Sequence, residues 1–411
     1  MTLAAQLRRT FAALGVRNYR LYFVGQFVSV IGTWMQRVAQ SWLVLEMTGS
    51  GTAVGGVTAL QFLPILLMAP TGGLVADRVD KRTLLYVTQS LAGLTAATLG
   101  VLVLTDRVEL WMVYALAFAL GLVGSFDNPA RRAFVVEMVG RQSITNALGL
   151  NSVMVNSARI AGPALGGLLI VSVGLGTLFL VNAASYLALI LAMALMRQAD
   201  LSRSTPLSRG RGQLREAIRY VRSVPVVLVT LVQLAVLSVF GYEYEVILPL
   251  MARFVFGGDA DTFGIMFAAV GVGAVAGGLI AANRNDPAPR TLYVGGLAFA
   301  GALLIASVAP VLWAELIALA VVGLTGTSLL TLGSSLLQLN TRPEMQGRVL
   351  ALHAVAFVGA RPIGGPVIGW MGEHLGPRVA MGVGSIAVLL ASVWASRRLS
   401  AELESADTQF A

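Results

Sequence analysis

The chain has 411 residues, of which 56% are hydrophobic and only 12% charged, against roughly 45–50% apolar and about 25% charged in soluble proteins. Such a composition excludes a soluble globular protein and places the chain in a membrane. The absence of cysteine excludes disulfides, thiol catalysis and iron–sulfur chemistry. A net charge of +9 would point to nucleic acid in a soluble chain, but its distribution along the loops gives it another meaning, and no nucleic-acid partner is expected.

Apolar runs long enough for about 20 helical residues recur throughout, whereas the ten-residue alternation of a barrel does not. Taken in order, they predict twelve spans at 19–46, 53–76, 83–104, 110–132, 146–172, 177–196, 225–251, 262–282, 290–308, 311–336, 347–371 and 376–396. Ahead of the first, Leu3, Leu7, Phe11 and Leu14 recur at helical spacing beside Arg8 and Arg9, which predicts a short interfacial helix. No cleavable signal sequence is visible, because the first sixteen residues lack a continuous apolar core. Between the sixth and seventh spans hydropathy collapses into a polar linker. The linker ends in an amphipathic stretch with Leu214, Ile218 and Val221 on one side and Arg215, Arg219 and Arg222 on the other. The expected division is therefore a first six-helix bundle over 1–196, a linker over 197–224, a second bundle over 225–396 and a tail over 397–411.

Basic residues alternate between the two sets of loops. One set holds Arg8, Arg9, Arg17, Arg20, Arg78, Lys81, Arg82, Arg131, Arg132, Arg141, the arginines from Arg197 to Arg222, Arg284, Arg290, Arg342, Arg348, Arg397 and Arg398, while the other holds Arg107, Arg253 and Arg378. The positive-inside rule then puts both termini in the cytoplasm.

The two halves repeat each other. Gly72-Gly73-Leu74 returns as Gly277-Gly278-Leu279, Gly121-Leu122-Val123-Gly124 as Gly323-Leu324-Thr325-Gly326, and Ala158-Arg159 as Ala360-Arg361. Each of these last pairs precedes a Gly-Pro-x-x-Gly, at Gly162-Pro163 to Gly166 and at Gly365-Pro366 to Gly369. Paired repeats are how many transporters build a central site. The repeat therefore favours a transporter over a channel or a membrane enzyme.

The hairpin from Gly72 to Leu84, G-G-L-V-A-D-R-V-D-K-R-T-L, carries Asp77 at the C-terminal end of a helix, where a negative charge has the wrong sign for the helix dipole. This hairpin resembles the loop signature G-x-x-x-D-R-x-G-R-R of the major facilitator superfamily through Gly73, Asp77, Arg78, Lys81 and Arg82, with Asp80 departing from the pattern's glycine. The Gly162-Pro163-x-x-Gly166-Gly167 run is similar to the motif of the superfamily's drug/proton antiporters. With N-x-x-x-x-x-x-G-Q from Asn18, G-T-W-M-Q from Gly32 and D-N-P-A-R-R from Asp127, the chain resembles the enterobactin-exporter and macrolide-efflux branch. The resemblance implies an all-α fold of two pseudo-symmetric six-helix bundles. It also implies a cytoplasmic latch in which Asp77 meets the N-terminus of the eleventh span and Arg131 or Arg132. A solvated loop acid is the alternative reading of Asp77.

Polar residues recur every three to four positions along the first span, at Gln26, Ser29, Thr33, Gln36, Arg37 and Gln40, which makes one polar face. Tyr242 in the seventh span and Thr327 and Thr331 in the tenth join them as cavity or substrate candidates; hydrogen bonding between helices is the alternative. Intramembrane charge costs at least about 2.5–3.5 kcal/mol at the bilayer centre unless paired or hydrated. Asp127, Glu243 and Glu245, set against Arg37, Arg159 and Arg361, are thus either proton carriers or structural ion pairs. Arg159, Gly162, Pro163 and Gly166, with Arg361, Gly365 and Pro366, form a hinge or seal, or else ordinary close packing. His353 and His374 have no metal-ligand company, no metal site is expected, and no nucleotide-binding Walker sequence is present.

These readings converge on a multi-pass cell-membrane secondary transporter, not an enzyme. It exports amphipathic or hydrophobic small molecules, acts as a monomer, and uses the proton gradient as energy source with no cofactor. An importer or facilitator of a polar solute, a lysophospholipid flippase and a non-transporting membrane sensor remain as alternatives.

Overall fold

The computed structural model describes residues 11–202, 213–282 and 288–410. Helices dominate, as they must where no water is available to satisfy backbone groups. They run α1 Arg17–Thr48, α2 Gly51–Arg78, α3 Lys81–Leu104, α4 Leu110–Ala194, α5 Gln213–Ser223, α6 Pro225–Val236, α7 Tyr244–Leu250, α8 Ala260–Ala282, α9 Arg290–Ser307, α10 Leu312–Leu339, α11 Pro343–Phe357, α12 Arg361–His374 and α13 Pro377–Phe410. Among the described residues, ten helical stretches are long and apolar enough to cross a membrane. The expected 146–172 and 177–196 lie on either side of Gly174, whose φ of 80° and ψ of 164° are non-helical, so that two helices meet there within Leu110–Ala194. A second such break lies at Gly140, with φ 67° and ψ 175°, between the expected 110–132 and 146–172. Both angles belong to the left-handed region, which glycine enters without a Cβ clash. The expected first span lies in α1, whose own polar stripe keeps it out of the apolar set.

Two compact units emerge, one from Met1–Leu43 with Leu63–Ser208 and the other from Val44–Phe62 with Arg209–Ala411. The division departs from chain order at one place, since Val44–Phe62 joins the second unit. In the first unit, Tyr19, Tyr22, Phe134, Leu85, Leu189 and Met193 form a buried cluster near the charged hairpin. Helices approach closely where side chains are absent. A methyl group added at Gly72 would meet the Ser125 carbonyl, and in the second unit one at Gly273 would meet that of Ala320. Small residues thus set the packing distance between membrane helices.

The amphipathic α5 lies on the second unit. Ala217 and Val221 are its buried residues, while Ile218 is 38% exposed. Glu216 pairs with Arg348 of α11 at 2.6 Å, and the Tyr220 hydroxyl accepts from the Arg342 amide at 2.9 Å. Of the expected N-terminal interfacial helix, Leu3, Leu7, Arg8 and Arg9 lie outside the described residues, as does the linker run 203–212. The part described is a 3-10 turn at Ala12–Gly15, held by the Ala13 amide donating to Asn146 Oδ1 at 2.9 Å.

Candidate functional site

In the first unit the polar stripe of α1 is turned into the bundle. Gln26, Ser29, Gln36 and Gln40 are buried, and Thr33 is half-buried. The Ser29 hydroxyl donates to Gln89 at 3.5 Å, Thr33 shares a hydrogen bond with the Tyr186 hydroxyl at 3.3 Å, and the Asn182 amide donates to Gln36. Gln26 Oε1 and Gln40 Nε2 remain buried without a hydrogen-bond partner among the described residues. Much of the stripe is therefore committed to holding helices together.

Asp127 is buried and its carboxylate is fully engaged. One oxygen accepts from Thr88 at 2.7 Å and Gln89 at 2.8 Å, and the other pairs with Arg131 one helical turn away. Arg131 is thus directed at Asp127 within the same helix. Arg132 is exposed and Asp77 half-buried. Lys81 meets the buried Glu137 at 3.1 Å, Arg82 donates to the Met193 carbonyl at 2.6 Å, and Arg78 lies in the last turn of α2, where a positive charge suits the dipole. Asp80, in the position where the signature has glycine, caps α3: its Oδ1 accepts from the Thr83 amide at 2.8 Å and hydroxyl at 2.9 Å.

Higher in the same unit, the guanidinium groups of Arg37 and Arg159 lie 4.6 and 5.7 Å from the Trp34 ring centre. A cation over an indole face is attracted by its quadrupole. Gly162 lets α4 approach α1 here, because a methyl group at that position would strike Trp34 and the Ile31 carbonyl. Gly166 makes room for Met35 in the same way. Pro163 lies within α4 between them. In the second half the corresponding contact shifts by one residue. Gly364, rather than Gly365, faces the Val239 carbonyl, while Gly365 faces Gly55 of α2.

The second unit holds the densest charge cluster. Between α6 and α7 the chain passes through a π-helical turn, Leu237–Gly241, and then leaves helical geometry at Tyr242 and Glu243. Such interruptions free backbone groups and are tolerated at membrane depth only where other groups satisfy them. Arg361, at the start of α12, does so by donating to the Tyr242 carbonyl at 3.3 Å. Its guanidinium also lies 3.7 Å from a Glu243 oxygen and 3.5 Å from a Glu245 oxygen, with its charge 4.5 Å from the Phe62 ring centre. Both carboxylates are buried, at 2% and 3% exposure, and neither Glu243 oxygen has a hydrogen-bond partner among the described residues. Aromatic rings wall the break: Tyr242 packs at 5.1 Å from Tyr244 and 5.4 Å from Phe357. The Tyr242 hydroxyl faces Thr327 at 3.4 Å. Thr331, one turn further along α10, is half-buried and its carbonyl accepts from Ser335 at 3.2 Å.

Two carboxylates sharing one guanidinium leave a surplus negative charge when both are ionised. Pro366 lies inside α12, one turn beyond Arg361.

Several functional candidates carried no usable sequence signal. Glu137, the partner of Lys81, is distant in the chain. Glu315, in the first turn of α10, is fully buried with both oxygens lacking hydrogen bonds among the described residues. Glu373 did carry a signal, because like Asp77 it is an acid at the C-terminal end of an apolar helix. No cluster of metal ligands occurs among the described residues.

The family described as transmembrane secretion effector matches residues 8–410. The staphyloferrin A transporter of Staphylococcus aureus is 24% identical over 397 residues, covering 94% of this chain and 98% of that protein. The multidrug efflux pump Tap of Mycobacterium tuberculosis is 25% identical over 371 residues, covering 86% and 88%. The enterobactin exporter EntS of Salmonella paratyphi A is 24% identical over 380 residues, covering 90% of each. Among solved structures, a bacterial homolog of the human lysosomal transporter Spinster, inward-facing and unoccupied, superposes with a TM-score of 0.76 at 14% identity over 93% of this chain and 97% of that one. The nucleoside transporter NupG gives 0.71 at 10% identity over 94% and 99%.

Proposed function

As the chain belongs to the major facilitator superfamily, in its family of transmembrane secretion effectors, and is a multi-pass transporter of the bacterial cell membrane rather than an enzyme, we propose that it exports amphipathic small molecules in exchange for protons. The observation that carries this reading is the cluster at the α6–α7 break, where buried Glu243 and Glu245 share Arg361. In this scheme Glu243 is the proton carrier, because its oxygens lack hydrogen bonds that would hold it ionised. Glu245 keeps Arg361 in place. Asp127, saturated by Thr88, Gln89 and Arg131, is assigned a structural role.

The substrate class is supported by relatives named for staphyloferrin A, for enterobactin and for multidrug efflux, and by the aromatic walls around Tyr242. Alternating access with twelve spans and both termini in the cytoplasm completes the scheme, with Asp77 as the latch of the cytoplasmic side.

The test is counterflow in proteoliposomes with siderophores, macrolides and lipophilic cations, with and without a pH gradient. Accumulation of a panel member that rises with an opposing proton gradient supports the proposal. Gradient-independent equilibration of every transported compound would overturn proton coupling and favour a facilitator.

A further inference from the structure

The second unit contains a contact that the proton cluster does not need. Glu373 is the penultimate residue of α12, where a carboxylate has the wrong sign for its own helix. One of its oxygens accepts three hydrogen bonds from the opening turn of α2: the Ser50 hydroxyl at 2.6 Å, the Thr52 amide at 2.9 Å and the Thr52 hydroxyl at 2.6 Å. The Ser50 hydroxyl in turn accepts from the Ala53 amide at 3.1 Å. The first turn of a helix presents unsatisfied N–H groups and a partial positive charge. Glu373 therefore caps a helix more than 300 residues away in sequence while gaining the compensation that its own helix denies it.

Beneath this cap the two helices touch backbone to backbone. Gly51 and Gly55 of α2 oppose Gly369 and Gly365 of α12, such that a methyl group at any of the four would press on the facing chain. Further along the same pair, the Arg361 guanidinium covers Phe62. The contact thus extends as one zipper from Glu373 at its exposed end to the arginine that serves Glu243 and Glu245.

We infer that Glu373 is a clasp for the transport cycle, a positioning residue whose grip on Ser50 and Thr52 holds the α2–α12 zipper shut and whose release opens the way to the Arg361 cluster. Its placement suits a contact that must form and break. Glu373 is exposed and Ser50 and Thr52 are half-buried, so water can replace each hydrogen bond at small cost, and the facing backbones at the glycine crossing meet in van der Waals contact. The clasp sits at the opposite end of α2 from Asp77, and each is an acid at the C-terminal end of one member of the same helix pair. The inference rests on the chain being a transporter of this family, and depends on neither the direction of transport nor proton coupling.

The natural absence of cysteine makes a direct test practical. Thr58 is buried and lies against Gly365, so Thr58→Cys reports opening of the zipper through its rate of maleimide alkylation in nanodiscs, where both faces are accessible. Adding Glu373→Gln is expected to raise that rate about tenfold, the scale set by weakening hydrogen bonds to a charged group. Ser50→Ala, which removes one of the three donors, raises it less. The double variant raises it by less than the product of the two single effects. An alkylation rate within about twofold of the Thr58→Cys parent in Glu373→Gln, whether or not the melting temperature falls, would make Glu373 a static cap and overturn the inference.

Discussion

Replacing Arg361 with methionine probes the charge cluster at its common point. The guanidinium lies 3.7 Å from Glu243 and 3.5 Å from Glu245; at an effective dielectric of about 20, each contact carries roughly 4–5 kcal/mol of Coulomb attraction before desolvation is subtracted. Much of that attraction offsets the burial of three charges, so the net consequence is better judged from buried pairs that lose one partner, about 3–5 kcal/mol. Arg361→Met also removes the donor to the Tyr242 carbonyl, adding about 1–3 kcal/mol for an unsatisfied buried acceptor. Glu243→Gln alone leaves Arg361 paired with Glu245 and is expected to be far milder. In the Arg361→Met background, however, Glu243→Gln removes one of two carboxylates that have lost the guanidinium and becomes stabilising. The assay is melting in detergent followed by fluorescence-detected size exclusion across the four-member cycle. Purely additive shifts would show that Glu243 and Arg361 are not energetically coupled, and the proton-holding role built on them would fail.

Gly55→Val should lower the melting temperature through overpacking of about 1–3 kcal/mol, because its Cβ would meet the Gly365 backbone. Gly301→Ala, where nothing lies within 4 Å of an added Cβ, should change it by less than about 0.5 kcal/mol. Lys81→Met removes the positive charge 3.1 Å from buried Glu137 and should destabilise by about 3–5 kcal/mol, whereas Lys81→Met combined with Glu137→Leu should recover most of the loss; detergent melting of the single and double variants checks this. Asp77→Asn should retain expression and monodispersity but lose most transport in the counterflow assay, and full turnover would remove the latch.

The helical membrane fold was legible in the sequence because hydropathy and the half-chain repeat are both one-dimensional signals. The boundary between 146–172 and 177–196 was legible although no charged loop marks it, and the helix breaks there at Gly174, whose positive φ and extended ψ are non-helical. The acids at the α6–α7 break could be singled out by their cost in a bilayer, and Arg361 by its repeat position. That these three meet depends on packing of α12 against the broken helix, which spacing does not encode. The polar stripe of α1 illustrates the opposite limit: its periodicity identified one face, but Gln89, Asn182 and Tyr186, which receive that face, come from elsewhere in the chain. Asp80 looked like a defect in the hairpin signature and is an N-cap, a role requiring only that Thr83 follow three residues later. Glu373 had the same wrong-end signature that drew attention to Asp77, and its partner became visible only when α2 and α12 were placed side by side.

The most direct test of the account is proton movement in proteoliposomes loaded with a pH-sensitive dye, triggered by a substrate identified in the counterflow panel, with parent protein and Glu243→Gln compared at matched substrate binding. The account predicts substrate-dependent proton flux in the parent and its loss in Glu243→Gln, which still exchanges substrate down its own gradient. Undiminished substrate-coupled proton flux through Glu243→Gln would contradict it.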